Sequence, residues 1–528
     1  MLFTFSPGVF SVIQFNNSQT GPGLTTLVTG LCAFYSFEGN TNDSTNNGLN
    51  LGTGASSSYN FITGKTGASA IQFTNYGICG AAAGLTYPNN IWNIYDGVTN
   101  ASFSFWIKIP QYFPSVNPAF STCGMTIFGA DYGNFGFSIN PAGPTGAAAP
   151  NMLVFSLAGN TTPSITATFI TNTWCHFAGV LNNTNKTYTV YRNGAVLSAV
   201  SFTSLTAPGQ NFQGFAIDGS GQSTNGEYGV PCTFDAVGLW NRALSASEIT
   251  TLYNGGSGIQ YPFTYNANYL LVGGGGGGGS GAGGVCEAGG GAGGVLSGST
   301  LSFTPGTTYS VYIGQGGVVN GAGDNTILLN LTAYGGGYGG YSDGNGTGSH
   351  PGGNGGSGGG GFNASGGSGT TSQGFSGGTG SGTGFVNPGE AGGGGGAGAP
   401  GTNTLTGGKG IINPIPGSTV GQLSAGNYWV AGGGSGTTYS GLGGETAYPG
   451  GVGGGGTGGI VNNGTSIPTP GTPNTGGGGG GGQSGGSGVV ILSVPTINYT
   501  GNVTGSPVVT TNGSNTLITF LSSGSYTA

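Results

Sequence analysis

A run of seven glycines constrains this chain more than any other feature. The sequence YLLVGGGGGGGSGAGG begins at Tyr269, so a short apolar segment leads directly into the glycines of residues 273–279. Glycine loses more backbone freedom on folding than any other residue, and such a run stays disordered unless the fold compensates for that loss. The run is therefore either a flexible spacer or part of a packed structure, and its surroundings must decide between the two.

Composition excludes several kinds of protein. Of 528 residues 125 are glycine, only 4% are charged and 35% are hydrophobic, whereas disordered chains usually combine low hydrophobicity with high net charge. The formal net charge of −7, with six basic residues, argues against nucleic-acid and anionic-membrane partners, since both require Lys and Arg. No apolar window reaches about 18 residues, so we expect no membrane insertion.

The first residues, MLFTFSPGVFSVIQFNNS, do not resemble a secretory signal. They lack a basic region, and Pro7 interrupts their apolar part. A protein that is assembled in a host cytosol and released within a particle needs no such signal. We therefore expect a virion component, and we interpret residues 1–28 as an N-terminal arm.

The composition changes near residue 263, which predicts two main domains. Before it, short aromatic and β-branched runs such as ASFSFWIKI and TYTVYRNG alternate with polar turns, as is typical of an all-β, antiparallel β-sandwich of the jelly-roll type. After it, apolar islands such as NYLLV and GSGVVILSVP separate glycine-rich tracts. We predict a sandwich over residues 29–262, a glycine-rich domain over 263–495 and a β-type tail over 496–528.

Local signals add a helix and a turn to the sandwich. In LSASEITTLYNGG, Ser245 and Glu248 form a capping box at the start of a short helix that Gly255 and Gly256 would end. Residues 192–194, Arg-Asn-Gly, predict a hairpin turn because Asn-Gly supplies positive φ. The cysteines show no CxxC spacing, and we expect most to be buried thiols, although a disulfide or two stays open; they are Cys32, Cys79, Cys123, Cys175, Cys232 and Cys286.

Four segments in order resemble the laminin-G-like, concanavalin A-like jelly-roll family. They are LCAFYSFEGNTNDSTNNGLN, ASFSFWIKIP, TWCHFAGVLNNTNKTYTVYRNGAVLSA and FDAVGLWNRALSASEITTLYNGG, and together they cover residues 30–262. The resemblance implies that Trp106, Trp174 and Trp240 are core aromatics. It also implies binding of glycans or proteins through loops at one edge of the sandwich.

Many members of this family carry a structural calcium ion, and Glu38, Asp43 and Asp235 match the family's acidic positions. Asp218 lies near another turn, but Ala236 stands where the family has a second acid, which weakens the match. The alternative is that these residues are surface acids and turn caps.

Aromatic residues in polar, turn-rich stretches are the candidates for glycan binding. An aromatic ring offers a flat apolar face to a sugar, and neighbouring amides offer hydrogen bonds. Packing of these rings on their own sandwich is the alternative. The candidates are Trp92, Tyr95, Tyr132, Phe135 and Tyr228.

We expect no enzymatic activity. Glycoside hydrolases of related fold need two carboxylates that flank the bond, and no segment resembling E-x-D-x-x-E occurs among the 13 acidic residues. Cys175 and His176 are adjacent in a strand, so their side chains point to opposite faces and cannot form a catalytic dyad.

Residues 266–495 resemble the glycine-rich domains of phage tail fibres, adhesins and large-virus surface proteins. The resemblance rests on NYLLVGGGGGGG, GVLSGSTLSFTPGTTYSVYIGQGG, TAYGGGYGG and GGGGGGGQSGGSGVVILSVP in this order. It implies polyglycine helices of the threefold polyproline-II type, whose side-chain-free strands approach closely and pair every backbone N–H. A flexible spacer is the alternative.

These patterns together predict a non-enzymatic virion surface protein: a fibre, a decoration protein or a minor capsid or tail component. Its lectin-like domain would attach to a host glycan or dock on other virion structural proteins, and the chain would form a homo-oligomer, with a trimer as one option. Two alternatives stay open: a cement or fibre protein without a ligand, and an extracellular adhesin or filament protein of a cell.

Overall fold

A computed structural model describes the chain over residues 24–45, 47–53, 59–74, 85–86, 100–110, 128–130, 137–141, 152–157, 165–203, 212–215, 232–281, 286–342, 348–381, 391–439, 447–461 and 467–528. The described residues form two compact units that meet between Thr264 and Tyr265, within two residues of the predicted change at residue 263. Among the described residues, no helix is long and apolar enough to span a membrane.

The first unit contains two α-helices, fifteen strands and a short 3₁₀ turn (Asn254–Gly256) within its described part. The helices are α1 (Leu24–Leu27) and α2 (Ala246–Tyr253). The strands are β1 (Leu31–Tyr35), β2 (Gly52–Thr53), β3 (Tyr59–Thr63), β4 (Ser69–Phe73), β5 (Leu85–Thr86), β6 (Asn100–Lys108), β7 (Phe128–Ala130), β8 (Phe137–Pro141), β9 (Met152–Leu157), β10 (Ile165–Thr168), β11 (Cys175–Asn182), β12 (Thr187–Arg192), β13 (Ala195–Ser201), β14 (Phe212–Phe215) and β15 (Cys232–Trp240).

These strands form an antiparallel sandwich, which confirms the predicted fold class. One sheet has the order β13-β12-β11-β6-β15-β4-β3, with β1 also paired to β15, and the other has the order β10-β9-β8-β7-β14-β5-β2. Alternate residues of β6 point into the core between the sheets, where Phe103 and Phe105 stack at 5.5 Å. Phe105 also packs against Phe177 of β11 and Phe234 of β15, so the core is largely aromatic.

The local signals in the first unit are confirmed. Ser245 and Glu248 form both hydrogen bonds of the capping box, and α2 ends at Asn254 in the left-handed conformation, one residue before the predicted Gly255. Asn193 and Gly194 adopt positive φ between β12 and β13. The cysteines within the described residues are buried and form no disulfide, namely Cys32, Cys175, Cys232 and Cys286, whereas Cys79 and Cys123 lie outside those residues.

The second unit consists of short sheets joined by glycine-rich tracts. Its strands are β16 (Tyr265–Val272), β17 (Val295–Phe303), β18 (Thr308–Tyr312), β19 (Thr326–Leu328), β20 (Leu331–Ala333), β21 (Ile411–Ile412), β22 (Gln422–Ser424), β23 (Asn427–Val430), β24 (Thr438–Tyr439), β25 (Ile460–Val461), β26 (Val489–Pro495), β27 (Val503–Thr504), β28 (Val508–Asn512), β29 (Asn515–Phe520) and β30 (Gly524–Thr527). The two larger sheets have the orders β17-β16-β26-β29-β28 and β20-β19-β18-β30-β27.

Residues 496–528, which we separated as a tail from the sequence, pair within these two sheets. β29 lies beside β26, and β30 lies beside β18. The hydroxyl groups of Tyr265 and Tyr526 are 2.6 Å apart, so the first strand of the unit and its last strand meet in one buried aromatic cluster. The segment is therefore part of the same compact unit as the glycine tracts.

The seven glycines of residues 273–279 are buried and extended, and their N–H groups donate in three directions in turn. Every third residue reaches the same neighbouring tract, at N···O distances of 2.7–3.0 Å. Gly273, Gly276 and Gly279 donate to residues 294, 291 and 288; Gly274 and Gly277 donate to residues 324 and 321; and Gly275 and Gly278 donate to residues 486 and 483. This period of three is that of a polyglycine helix of the polyproline-II type.

The carbonyl groups of the same tract accept hydrogen bonds from three further directions. Those of residues 274 and 277 accept from residues 336 and 339, those of 275 and 278 accept from 317 and 320, and those of 276 and 279 accept from 479 and 482. The tract is thus surrounded on all sides by other backbone segments. Residues 273–279 form a packed helix within a bundle, as the resemblance implied, and not a flexible spacer.

Close approach between tracts explains why the run contains only glycine. A Cβ atom added at Gly277 would lie 1.9 Å from the carbonyl oxygen of Val318, and one added at Gly275 would lie 2.0 Å from that of Gly477. Both contacts are with backbone, which cannot move aside as a flexible side chain could. Any side chain in the interior of this tract would therefore push neighbouring tracts apart.

We expect the backbone amides of the glycine bundle to exchange slowly with solvent. Because the N–H groups of residues 273–279 and 288–294 are buried and hydrogen-bonded, their exchange should be slowed at least about a thousandfold relative to an unfolded peptide. Hydrogen exchange of the full chain measures this, with the exposed turn glycine Gly513 as the fast internal reference. Rapid exchange throughout both tracts would contradict the packed bundle.

We also expect Gly277→Ala to destabilise the second unit by about 3 kcal/mol, because the added methyl group overlaps a backbone carbonyl. The control is Gly306→Ala. Gly306 has a φ of +78° and no atom within 4 Å of its Cβ position, so that substitution should cost only about 1 kcal/mol of backbone strain. Denaturant unfolding of the two variants, monitored by amide hydrogen exchange in residues 273–294, measures the difference between them. Equal losses of stability would show that the tract tolerates side chains.

Candidate functional site

The predicted glycan-binding aromatics lie outside the described residues. This holds for Trp92, Tyr95, Tyr132, Phe135 and Tyr228, and also for Asp218. Glycan binding at these positions stays a prediction. The three acidic residues that match the family's calcium positions are all described, and the loop of residues 64–69 connects two of them.

Asp235 lies at the centre of this region. A β-bulge follows it in β15, where Ala236 adopts a φ of 47°, and the Asp235 side chain is fully buried. Its Oδ2 atom accepts hydrogen bonds from the backbone N–H groups of Lys65 (2.7 Å) and Thr66 (2.8 Å). The carboxylate therefore holds the turn between β3 and β4 against the closing strand of the sandwich.

Burial raises the pKa of Asp235 to about 6, because a charged carboxylate is poorly solvated there. The backbone N–H groups of Thr66 and Lys65 favour the charged form, but they only partly offset the desolvation. The second oxygen, Oδ1, accepts no hydrogen bond from the described residues. One oxygen of the buried Asp235 carboxylate therefore has no hydrogen-bond partner among the described residues.

Glu38 binds the far end of the same loop. Its carboxylate accepts hydrogen bonds from the backbone N–H groups of Ala68 (2.9 Å) and Ser69 (3.1 Å), and from the side-chain amide of Gln260 (3.2 Å). Gly67 adopts a φ of +61°, and a Cβ atom there would overlap Glu38 Oε1. The loop of residues 64–69 is therefore held at both ends by acidic side chains.

Asp43 has a separate role in the opening loop. Its side chain is buried and accepts hydrogen bonds from the backbone N–H groups of Phe34 (3.1 Å), Thr45 (3.0 Å) and Leu49 (3.4 Å), as well as from the Thr45 hydroxyl. It ties Thr45 and Leu49 to Phe34 of strand β1. This is a turn-capping role, which was the alternative to calcium binding in the sequence analysis.

The three acids do not share one metal site within the described part of the chain, where no three acidic, histidine or cysteine side chains form a group that could hold a metal ion. Ca²⁺ takes about six to eight oxygen ligands. Of the carboxylate oxygens of Glu38, Asp43 and Asp235, only Asp235 Oδ1 has no hydrogen-bond donor among the described residues. Calcium binding stays a prediction, and Asp235 is the residue at which it can be tested.

An aromatic group covers the outside of the larger sheet beside this loop. Trp106 of β6 is buried and stacks on Tyr253 of α2 at 5.7 Å, His176 lies 5.2 Å from the Trp106 ring, and Lys65 Nζ lies 4.9 Å from it. Trp106 and Trp240 are buried, but neither belongs to the core between the two sheets, where the resemblance had placed them. Trp174 is only half-buried, beneath Lys108 Nζ at 5.1 Å.

The structure also places His176 beside a hydroxyl group that the sequence did not indicate. His176 Nε2 and Ser104 Oγ are 2.8 Å apart, and both side chains are buried. Burial lowers the pKa of His176 to about 3, so the ring is neutral at physiological pH. Its Nδ1 atom has no partner among the described residues, so no carboxylate orients the ring as in a catalytic triad. Cross-strand pairing brings Ser104 and His176 together, and no sequence motif marks that pairing.

Comparison with known families supports two domains. Residues 80–250 match the model of the concanavalin A-like lectin/glucanases superfamily, and residues 250–495 match that of a glycine-rich domain. Both matches fall largely within the regions predicted for the sandwich and for the glycine-rich domain. No curated protein matches the chain at a significant level.

Several solved structures are similar to parts of the chain. The binding domain of Paraclostridial Mosquitocidal Protein 1 shares 17% identity at a TM-score of 0.32, over 47% of this chain and 59% of that one. The receptor-binding domain of botulinum neurotoxin type G shares 14% at 0.31, over 46% and 57%. Domain 4 of AbnA, an extracellular arabinanase from Geobacillus stearothermophilus in complex with arabinotriose, shares 20% at 0.27, over 42% and 96%. The chain thus spans less than two thirds of the length of either toxin domain.

We expect Asp235→Asn to change how stability depends on pH. The folded state binds the Asp235 proton more tightly than the unfolded state, whose pKa is near 3.8, so the stabilisation is present below pH 3.8 and is lost as the pH rises through about 6. Between pH 4 and pH 7 the wild type should therefore lose about 2 kcal/mol relative to the variant. Denaturant unfolding of both proteins in EDTA over this range measures the difference.

The same pair of proteins tests calcium. If Ca²⁺ binds at Asp235, adding it at pH 7 should raise the midpoint of wild-type unfolding and leave that of Asp235→Asn unchanged. A parallel pH dependence of the two proteins in EDTA would contradict the raised pKa. An equal response of both to Ca²⁺ would exclude Asp235 as a ligand.

Proposed function

We propose that this chain, which carries a concanavalin A-like domain followed by a glycine-rich domain, is a non-enzymatic structural protein of a virion surface. The concanavalin A-like domain binds a host glycan or docks on a neighbouring structural protein. The glycine-rich domain extends, anchors or presents it. The observation that carries this proposal is the threefold hydrogen bonding of the glycine tracts, because it makes a compact element with few charged side chains.

The bundle suits the exterior of a particle. Its interior contacts are backbone hydrogen bonds and close glycine contacts, so it depends little on salt or on ionisable groups. Among the described residues between 265 and 528, the only charged ones are Glu287, Asp324 and Lys409. We therefore assign the chain to the surface of a virion, in contact with other virion proteins and assembled as a homo-oligomer, for which a trimer is one arrangement.

The matched superfamily is described as containing both lectins and glucanases, and of these two functions we favour binding. A glycoside hydrolase needs two carboxyl groups about 5–10 Å apart on either side of the scissile bond. The described acids of the first unit are used otherwise: Glu38, Asp43 and Asp235 bind backbone N–H groups, and Glu248 pairs with Arg242 at 2.6 Å.

We expect the purified chain to bind on a glycan array, and we expect Trp92→Ala or Tyr132→Ala to weaken that binding by roughly tenfold or more, through loss of an aromatic–sugar contact. Trp174→Ala is a matched control, since Trp174 is a half-buried tryptophan of the same domain that packs under Lys108. A blank array would favour a cement or fibre protein without a ligand.

Cryo-electron microscopy of particles from the source culture tests the location. The proposal predicts the chain at fixed stoichiometry on a capsid or tail lattice. Its presence only in cell-derived filaments would instead favour a cellular adhesin.

A further inference from the structure

A tyrosine-containing tract lies on the outer surface of the glycine bundle. In the sequence YGGGYGGY, which begins at Tyr334, the intervening glycines are buried, whereas Tyr338 is 37% exposed and Tyr341 is half-buried. A polyproline-II-type helix repeats every three residues and rises about 3.1 Å per residue, so Tyr338 and Tyr341 leave the tract on the same side, about 9 Å apart.

Both rings lie over the antiparallel neighbouring tract. The N–H of Gly353 donates to the Tyr338 carbonyl at 2.8 Å, and a Cβ atom on Gly353 would lie 2.6 Å from Cδ1 of the Tyr338 ring. Three residues earlier in that tract, the His350 ring stacks on Tyr341 with centroids 4.5 Å apart and an angle of 16° between the planes. Each tyrosine ring therefore has a partner on the neighbouring tract, which is Gly353 for Tyr338 and the His350 ring for Tyr341.

The neighbouring tract also carries an uncharged polar side chain, since Asn354 directly follows Gly353. Asn354 is exposed, and its Oδ1 atom accepts a hydrogen bond from the N–H of Ser368 at 2.7 Å, which orients the side-chain amide. The Asn354 amide nitrogen and both tyrosine hydroxyl groups make no hydrogen bond within the described residues. Apart from His350, no titratable or charged side chain other than tyrosine occurs in residues 334–342 or 348–369.

We propose that this tyrosine face, defined as Tyr338, Tyr341 and Asn354, binds an extended, neutral, β-1,4-linked glycan. Flat aromatic faces recognise the apolar faces of pyranose rings, and a border of uncharged donors matches sugar hydroxyl groups. In a β-1,4-linked chain, alternate rings present the same face, at a repeat close to the spacing of the two tyrosines. The inference concerns the glycine-rich domain and does not depend on the function proposed for the first unit.

The test is calorimetric titration of the full chain with cellohexaose and with chitohexaose. We expect saturable binding of at least one of them, and much weaker binding of the corresponding disaccharide, which is too short to stack on both tyrosines. Tyr338→Ala and Tyr341→Ala should each weaken binding on the order of tenfold, the equivalent of about 1.4 kcal/mol for one lost aromatic contact. Tyr338→Phe should weaken binding much less than Tyr338→Ala, since it keeps the ring and loses only the hydroxyl group.

The matched control is Tyr312→Ala, which removes another exposed tyrosine of the same unit, 49% exposed on β18, and should leave binding unchanged. Unchanged amide exchange in residues 288–294 would show that each variant keeps the bundle intact. Absence of binding to both hexasaccharides would overturn the proposal. So would wild-type affinity in the Tyr338 and Tyr341 alanine variants, which would place any observed binding elsewhere in the chain.

Discussion

The backbone hydrogen bond between neighbouring glycine tracts, repeated in three directions, is the interaction on which the second unit depends. A buried N–H or carbonyl group without a partner is costly, so a tract without side chains can be buried only if other backbone surrounds it. Around residues 273–279 this condition is met by six neighbouring segments. The absence of side chains is what allows those segments to approach closely enough.

Hydrogen bonds alone do not stabilise such a bundle. Each contributes about 1 kcal/mol net, whereas ordering one residue costs about 1–2 kcal/mol and glycine lies at the upper end. The remainder comes from apolar groups between and beside the tracts. Leu270, Val272 and Ile491 form one buried cluster with Val430 and Leu517, and Cys286 and Phe362 form another with Leu405. Strands at the ends of the tracts therefore help to hold the glycines in place.

The sequence predicts features that depend on nearby residues. The capping box of Ser245 and Glu248 and the Asn193-Gly194 turn follow from spacing within a few residues, and the apolar islands become strands because their pattern is local. The order of the strands does not follow in this way. Nothing near Asn515 indicates that β29 pairs with β26, because that pairing depends on the three-dimensional packing of the whole unit.

The candidate site likewise combines features that the sequence predicts with features that it does not. Resemblance identified Glu38, Asp43 and Asp235, but it did not show that Glu38 and Asp235 hold opposite ends of one loop. The Asp235 carboxylate is aimed at that loop beside a bulge in β15, and its partners Lys65 and Thr66 are about 170 residues away in the chain. A contact of that sequence separation has no local signature.

A threefold polyglycine helix does not by itself fix its alignment with a neighbouring tract, because a shift of three residues gives an equivalent set of hydrogen bonds. The β16–β17 hairpin removes this degeneracy for the first pair of tracts. The alignment that sets Val272 opposite Val295 continues unchanged through Gly273 with Gly294, Gly276 with Gly291 and Gly279 with Ala288. The apolar strands thus determine how the repetitive glycine tracts are aligned. In evolution, whole three-residue steps should be gained or lost within tracts more easily than single residues.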